Sequence, residues 1–136
     1  MKKTVLFPVL MLLLGLMVSC NETQIKLKGL WQLKTIYWSD GTSVNQDSVF
    51  YSFQKNVFQY THLERVDSTY RYPGRYYLVG DSLFIVMDDF DIYRGEFGES
   101  DSLKIGFKEK HFYIGELTGN WLELRAGDGV YSLRKF

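Results

Sequence analysis

The 136-residue chain holds one cysteine, two prolines and two histidines. One cysteine excludes an intrachain disulfide, so stability must come from a packed core. His62 and His111 stand far apart and outside any metal-ligand spacing, so no metal site is expected. No Gly-x-Ser-x-Gly elbow and no glycine-rich phosphate loop occurs, and no serine is offered an orienting base. These absences predict a protein that is not an enzyme and has no cofactor. The 16 basic and 16 acidic residues give no basic excess. The apolar runs fall short of the ~20 residues that a spanning helix requires, and no amphipathic helical pattern lasts beyond a turn or two.

What is present begins at the amino terminus. Lys2 and Lys3 precede an apolar stretch, 5–18, broken only by Pro8 and Gly15. Val18-Ser19-Cys20 closes it. A basic segment, a short apolar segment and small residues before a cleavage point are the parts of a secretory signal. The cysteine at the boundary resembles the lipobox of bacterial lipoproteins, with Met17 in place of the usual leucine. That resemblance implies a signal peptide over 1–19, cleavage before Cys20, and lipid on the Cys20 sulfur and on the new amino terminus. Two or more acyl chains anchor stably where one does not. The competing reading is an ordinary secretory signal with Cys20 as a free thiol.

Residues 20–26 read as a lipidated tether and residues 27–136 as one domain. Losing Lys2 and Lys3 with the signal leaves 14 basic against 16 acidic side chains. An exported, slightly acidic protein has little use for nucleic acid as a partner. Asn21 gives no inner-membrane retention aspartate, and Glu22 alone is not an acidic export tag. By analogy with sorting rules, the expected location is the cell envelope, at the outer membrane and facing the periplasm.

The domain reads as strands. Aromatics make up 17% of the chain, and such residues favour strands. Alternation of period two runs through 29–38, 49–54, 83–87 and 103–108. Asp40-Gly41, Lys55-Asn56, Gly80-Asp81, Glu109-Lys110, Gly119-Asn120 and Gly127-Asp128-Gly129 supply turns between the runs. Eight or nine short strands joined by hairpins predict an all-β antiparallel meander. Closing it into an up-and-down barrel removes exposed edges. A β-sandwich is the competing architecture, but it needs longer connections between sheets.

Gly29-Leu30-Trp31 opens the first strand just after the tether, and it resembles the Gly-x-Trp signature of lipocalins. The stretch 112–125, with Leu117-Thr118-x-x-x-Leu122-x-Leu124, and the ending Val130-Tyr131-Ser132-Leu133-Arg134 are similar to small lipocalin-like lipoproteins of Bacteroidota. The resemblance spans about 27–136. It implies a barrel closed at one end by Trp31, with an arginine, either Arg134 or Arg125, lying across the indole. The Thr-Asp-Tyr segment and the long helix of typical lipocalins are absent, so the compact members are the better match.

In such a barrel the interior is the candidate binding surface. If Trp31 points inward, the alternation adds Leu33, Thr35 and Tyr37, then Val49, Tyr51 and Phe53, then Leu83 and Ile85, then Leu103, Ile105 and Phe107. Trp31, Leu33, Tyr37, Tyr51, Phe53, Ile85, Ile105 and Phe107 are the candidate ligand-binding set. The bland reading is that they fill the core, since burying each large apolar side chain is worth roughly 1.5–3 kcal/mol by itself. Tyr37 and Tyr51 hint at a polar mouth, because a buried phenol needs a partner.

Two surface segments stand out. The acidic stretch 88–101 lacks calcium-loop spacing and reads as a solvated loop, a candidate lid or partner contact. The stretch 70–77, rich in tyrosine and arginine, reads as cross-strand aromatic pairs with Pro73 at a bend or strand edge. The expectation is a lipid-anchored envelope protein that binds a small apolar or aromatic ligand. The alternative is a packed barrel whose loops dock an envelope protein.

Overall fold

The computed structural model describes residues 22–65, 68–88 and 108–136. A short helix, α1 (22–27), leads into nine strands. These are β1 (Gly29–Trp38), β2 (Ser43–Asn45), β3 (Val49–Gln54), β4 (Val57–Arg65) and β5 (Ser68–Val79). They continue as β6 (Ser82–Met87), β7 (Glu109–Leu117), β8 (Trp121–Ala126) and β9 (Gly129–Lys135). Every pairing is antiparallel.

Strands β1 and β3 to β9 form one continuous meander, and β1 pairs with β9 from Trp31↔Lys135 to Trp38↔Gly129. That last pairing closes an eight-stranded barrel and leaves no open edge between first and last strand. The extra strand β2 continues the β3 side of β1 beyond Gln32, opposite Thr35, Ile36 and Tyr37.

Turn chemistry fixes the register. Lys55 and Asn56 both take positive φ, 42° and 68°, as a two-residue type I′ hairpin demands. Gly80 supplies the positive φ, 59°, of the β5–β6 turn. At the β7–β8 turn, the Asn120 and Trp121 amides donate to the Thr118 hydroxyl at 3.2 and 2.9 Å. The Thr118 amide in turn donates to the Trp121 carbonyl at 2.9 Å.

These turns, with α1, gather at one end, which the core seals. Leu27, Trp31, Phe53, Phe58, Leu83 and Leu133 have no exposed surface there. Phe53 packs edge-to-face on Tyr76 at 5.1 Å and tilted on Phe58 at 5.3 Å. The other end carries the Asp40-Gly41 and Gly127-Asp128 turns and the ends of β4, β6 and the start of β7.

Two sequence expectations need correction here. Thr35 and Tyr37 do not follow Trp31 and Leu33 inward. The pairing with β9 shifts between Leu33 and Thr35, a β-bulge at Lys34. One extra residue reverses the alternation, so Ile36 turns inside and Tyr37 is 54% exposed outside. Glu109-Lys110 is not a turn but the start of β7, opposite Val86 and Ile85. Residues 22–26 of the expected tether form α1 together with Leu27, which is fully buried. The expected strand residues 102–107 and the acidic stretch 89–101 lie outside the described residues.

Candidate ligand site

At the sealed end the indole N–H of Trp31 donates to the Leu27 carbonyl at 2.8 Å. This satisfies a carbonyl left over at the end of α1. The cation over the indole is neither Arg134 nor Arg125. It is Lys135, whose Nζ lies 4.6 Å from the ring centroid and also donates to the Lys28 carbonyl. Register explains the exchange. Lys135 pairs with Trp31 and shares its inward parity, whereas Arg134 pairs with Gln32 and faces out. Arg125 is held outside the barrel by Glu123 at 2.9 Å. Burial lowers the Lys135 pKa below its ordinary value. Gly29 is required beside this group: its φ is 128°, and a Cβ there would collide with the Lys135 side chain.

The half of the barrel away from this plug has a different chemistry. Tyr60, Tyr72 and Tyr131 are buried within it, and the buried Tyr51, paired with Trp31, reaches toward them. Tyr51 and Tyr60 rings lie 5.8 Å apart, and Tyr60 and Tyr72 rings 6.2 Å apart. Asp128, on the β8–β9 turn, reaches in from the rim. Its Oδ2 accepts from Lys110 Nζ at 2.5 Å and from the Tyr131 hydroxyl at 3.0 Å. Lys110 Nζ also sits 5.7 and 5.6 Å from the Phe112 and Tyr131 ring centroids. The other carboxylate oxygen, Oδ1 of Asp128, is buried and accepts no hydrogen bond from the described residues.

Electrostatics follow from this arrangement. Burial pushes the Tyr51 phenol well above its ordinary pKa, and the nearby Tyr60, Tyr131 and Asp128 add to the shift. The Tyr131 pKa is also raised, first by burial and then by the charge of Asp128 and the hydrogen bond to it. Tyr51 and Tyr131 therefore stay neutral at physiological pH. The described site offers hydroxyls, one lysine–aspartate pair and one unused carboxylate oxygen, set among aromatic faces.

Of the residues read from sequence, Trp31, Leu33, Tyr51, Phe53 and Ile85 are buried in the interior. Trp31 and Phe53 pack into the sealed half, Ile85 stands opposite Lys110 midway along β6, and Tyr51 reaches toward the tyrosine cluster. Tyr37 lies outside, in a groove of about 460 Å³ with Glu116, Trp121 and Ser132. Ile105 and Phe107 lie outside the described residues. Sequence reasoning missed Tyr60, Tyr72, Tyr131, Lys110 and Asp128. Tyr60 was within reach of it: the Lys55-Asn56 hairpin puts Tyr60 directly opposite Tyr51.

Comparisons with known proteins agree with this architecture. A family model described as a lipocalin-like domain matches residues 14–136. The crystal structure of a lipocalin-like protein from Bacteroides uniformis ATCC 8492 is similar, with a TM-score of 0.73 and 28% sequence identity. That match covers 82% of this chain and 99% of the other. The crystal structure of an uncharacterized protein from Bacteroides eggerthii DSM 20697 is similar too, with a TM-score of 0.72 and 27% identity. It covers 81% of this chain and 99% of that one. None of the curated proteins compared with the chain matches it. A closed antiparallel barrel plugged by a Gly-x-Trp tryptophan, together with a family match over nearly the whole sequence, leads to one assignment: the chain belongs to the lipocalin-like domain family.

Proposed function

We propose that this protein is a lipid-anchored envelope binding protein, not an enzyme, that holds a small, largely apolar or aromatic molecule in the tyrosine-lined half of its barrel. The fold family supports binding in a barrel. The observation that carries the reading is Asp128 Oδ1, a buried acceptor with no donor among the described residues, close to the Tyr131 and Tyr51 phenols. Leaving such a group unsatisfied costs about 1–3 kcal/mol, which a ligand hydroxyl or N–H would recover. Lys110 already balances the carboxylate charge, so a neutral donor on an aromatic body suits the site better than a cation.

The anchor belongs to the same reading. Cys20 would carry the lipid, and the outer membrane facing the periplasm is the compartment the signal and Asn21 favour. Labelled lipid should enter the wild type and fail to enter Cys20→Ala. The binding claim is tested by titrating the protein with 2-naphthol and with 2-methoxynaphthalene while following tyrosine and tryptophan fluorescence. The naphthol should bind more tightly than its methyl ether, and Asp128→Asn should narrow the gap. Absence of saturable binding by both compounds would contradict the reading.

A further inference from the structure

We infer that the sealed end of the barrel is a membrane-docking surface, so that the tyrosine-lined end points away from the bilayer. The starting observation is where the exposed large hydrophobic side chains lie. Eleven are exposed among the described residues. Ile25, Leu30, Val57, Val79, Trp121 and Phe136 sit on α1 or at the strand ends and turns of the sealed end. Tyr77 and Tyr113 lie a step above that rim, Tyr113 directly opposite the first residue of β6. Among the described residues Val44 and Leu63 lie toward the other end, and Tyr37 is on the outer wall, in the groove that it shares with Trp121. Phe136, Ile25 and Val79 are 75%, 68% and 63% exposed.

A water-facing rim does not need that many apolar side chains in one place. Tryptophan and tyrosine mixed with aliphatics and lysines suit the interface of a bilayer, where an apolar ring body and a polar tip are both satisfied. Lys28 and Lys55 border a groove of about 470 Å³ at this end, lined also by Ser52, Gln54, Val57, Gln59 and Pro73 and by no acidic side chain. Its charge complements anionic headgroups. Glu22 and Asp81 lie on another side of the same end, in a groove with Lys26, so the basic character is local to β3 and β4.

The chain itself selects a bilayer over a protein as the occupant. In the proposed mature protein the lipidated Cys20 is the first residue and stands two positions before α1, which lies at this end. The inference rests here on the anchor part of the proposed function. Only Asn21 separates Cys20 from Glu22, and two residue steps span at most about 7 Å. An acylated Cys20 therefore holds α1 against the headgroups, and Ile25, Phe136 and Trp121 meet the interface with it.

The three tryptophans make the test direct, because Trp121 is exposed at the sealed rim, Trp31 is buried behind it and Trp38 lies toward the opposite end. The lipidated mature protein, beginning at Cys20, is reconstituted into phosphatidylethanolamine–phosphatidylglycerol vesicles whose acyl chains are brominated near the headgroup. The expected result is quenching of tryptophan fluorescence that is lost in Trp121→Phe and retained in Trp38→Phe. Replacing phosphatidylglycerol with phosphatidylcholine should reduce it. Protein that sediments with the vesicles yet shows no quenching overturns the docking surface and leaves the anchor intact. Quenching that survives Trp121→Phe but is lost in Trp38→Phe overturns it in favour of the reverse orientation. Protein that fails to sediment overturns the anchor, and the docking inference falls with it.

Discussion

Lys135 lies over the face of Trp31 at 4.6 Å, while the edge of the same indole donates to Leu27. One tryptophan thus joins the first strand, the last strand and the helix that caps the barrel. A cation over an indole contributes about 0.5–2 kcal/mol. Lys135→Met should lower the unfolding free energy by about that amount, and Lys135→Arg should keep most of it. Gly29→Ala should also destabilise, because it forces an L-residue to φ 128° and into the Lys135 side chain. Denaturant midpoints at constant slope check all three.

The Thr118 hydroxyl accepts two backbone amides at the β7–β8 turn. Thr118→Ala should cost about 1 kcal/mol, and Thr118→Ser should cost less, since the oxygen is kept. Thermal melts of the two variants distinguish the hydrogen bonds from the methyl group.

Asp128 ties Lys110 and Tyr131 together. Asp128→Ala strips both donors of their shared acceptor and should cost about 1–3 kcal/mol. Asp128→Asn keeps an acceptor for Tyr131 and should cost less. Equal stability of the alanine variant and the wild type would show that the trio is not a structural unit.

Alkaline pH should unfold the protein through its tyrosines. The folded pKa values of Tyr51 and Tyr131 lie above the unfolded value of 10.0. Below pH 10 both states bind the phenolic protons and stability is level. Above it the unfolded chain loses protons that the folded chain keeps, so stability falls as pH rises. Phenolate absorbance of these tyrosines should therefore appear together with loss of structure, not before it.

Much of the barrel was legible because strand alternation and turn residues agreed. Lys55-Asn56, Gly80-Asp81 and Gly119-Asn120 each join the strands that the sequence pattern assigns to them. Tyr37 was misplaced because a bulge at Lys34 leaves no mark in an apolar-rich strand, where either phase has hydrophobic residues. The cation over Trp31 was misassigned for a related reason. Arg134 and Lys135 are neighbours, and only the β1–β9 register decides which faces in. Asp128 and Lys110 were read as turn residues, since nothing local reveals that one turn and one strand start will meet across the rim. The tyrosine cluster depends on long-range pairing, and aromatics on both faces of several strands hid which ones converge.

The most direct test of the account is native mass spectrometry of the protein purified from its own envelope. The account predicts a mass above that of the lipidated chain, with a small aromatic or apolar molecule released on denaturation and retained less well by Asp128→Asn. A mass equal to the lipidated chain alone, with no uptake of 2-naphthol added in excess, would contradict it.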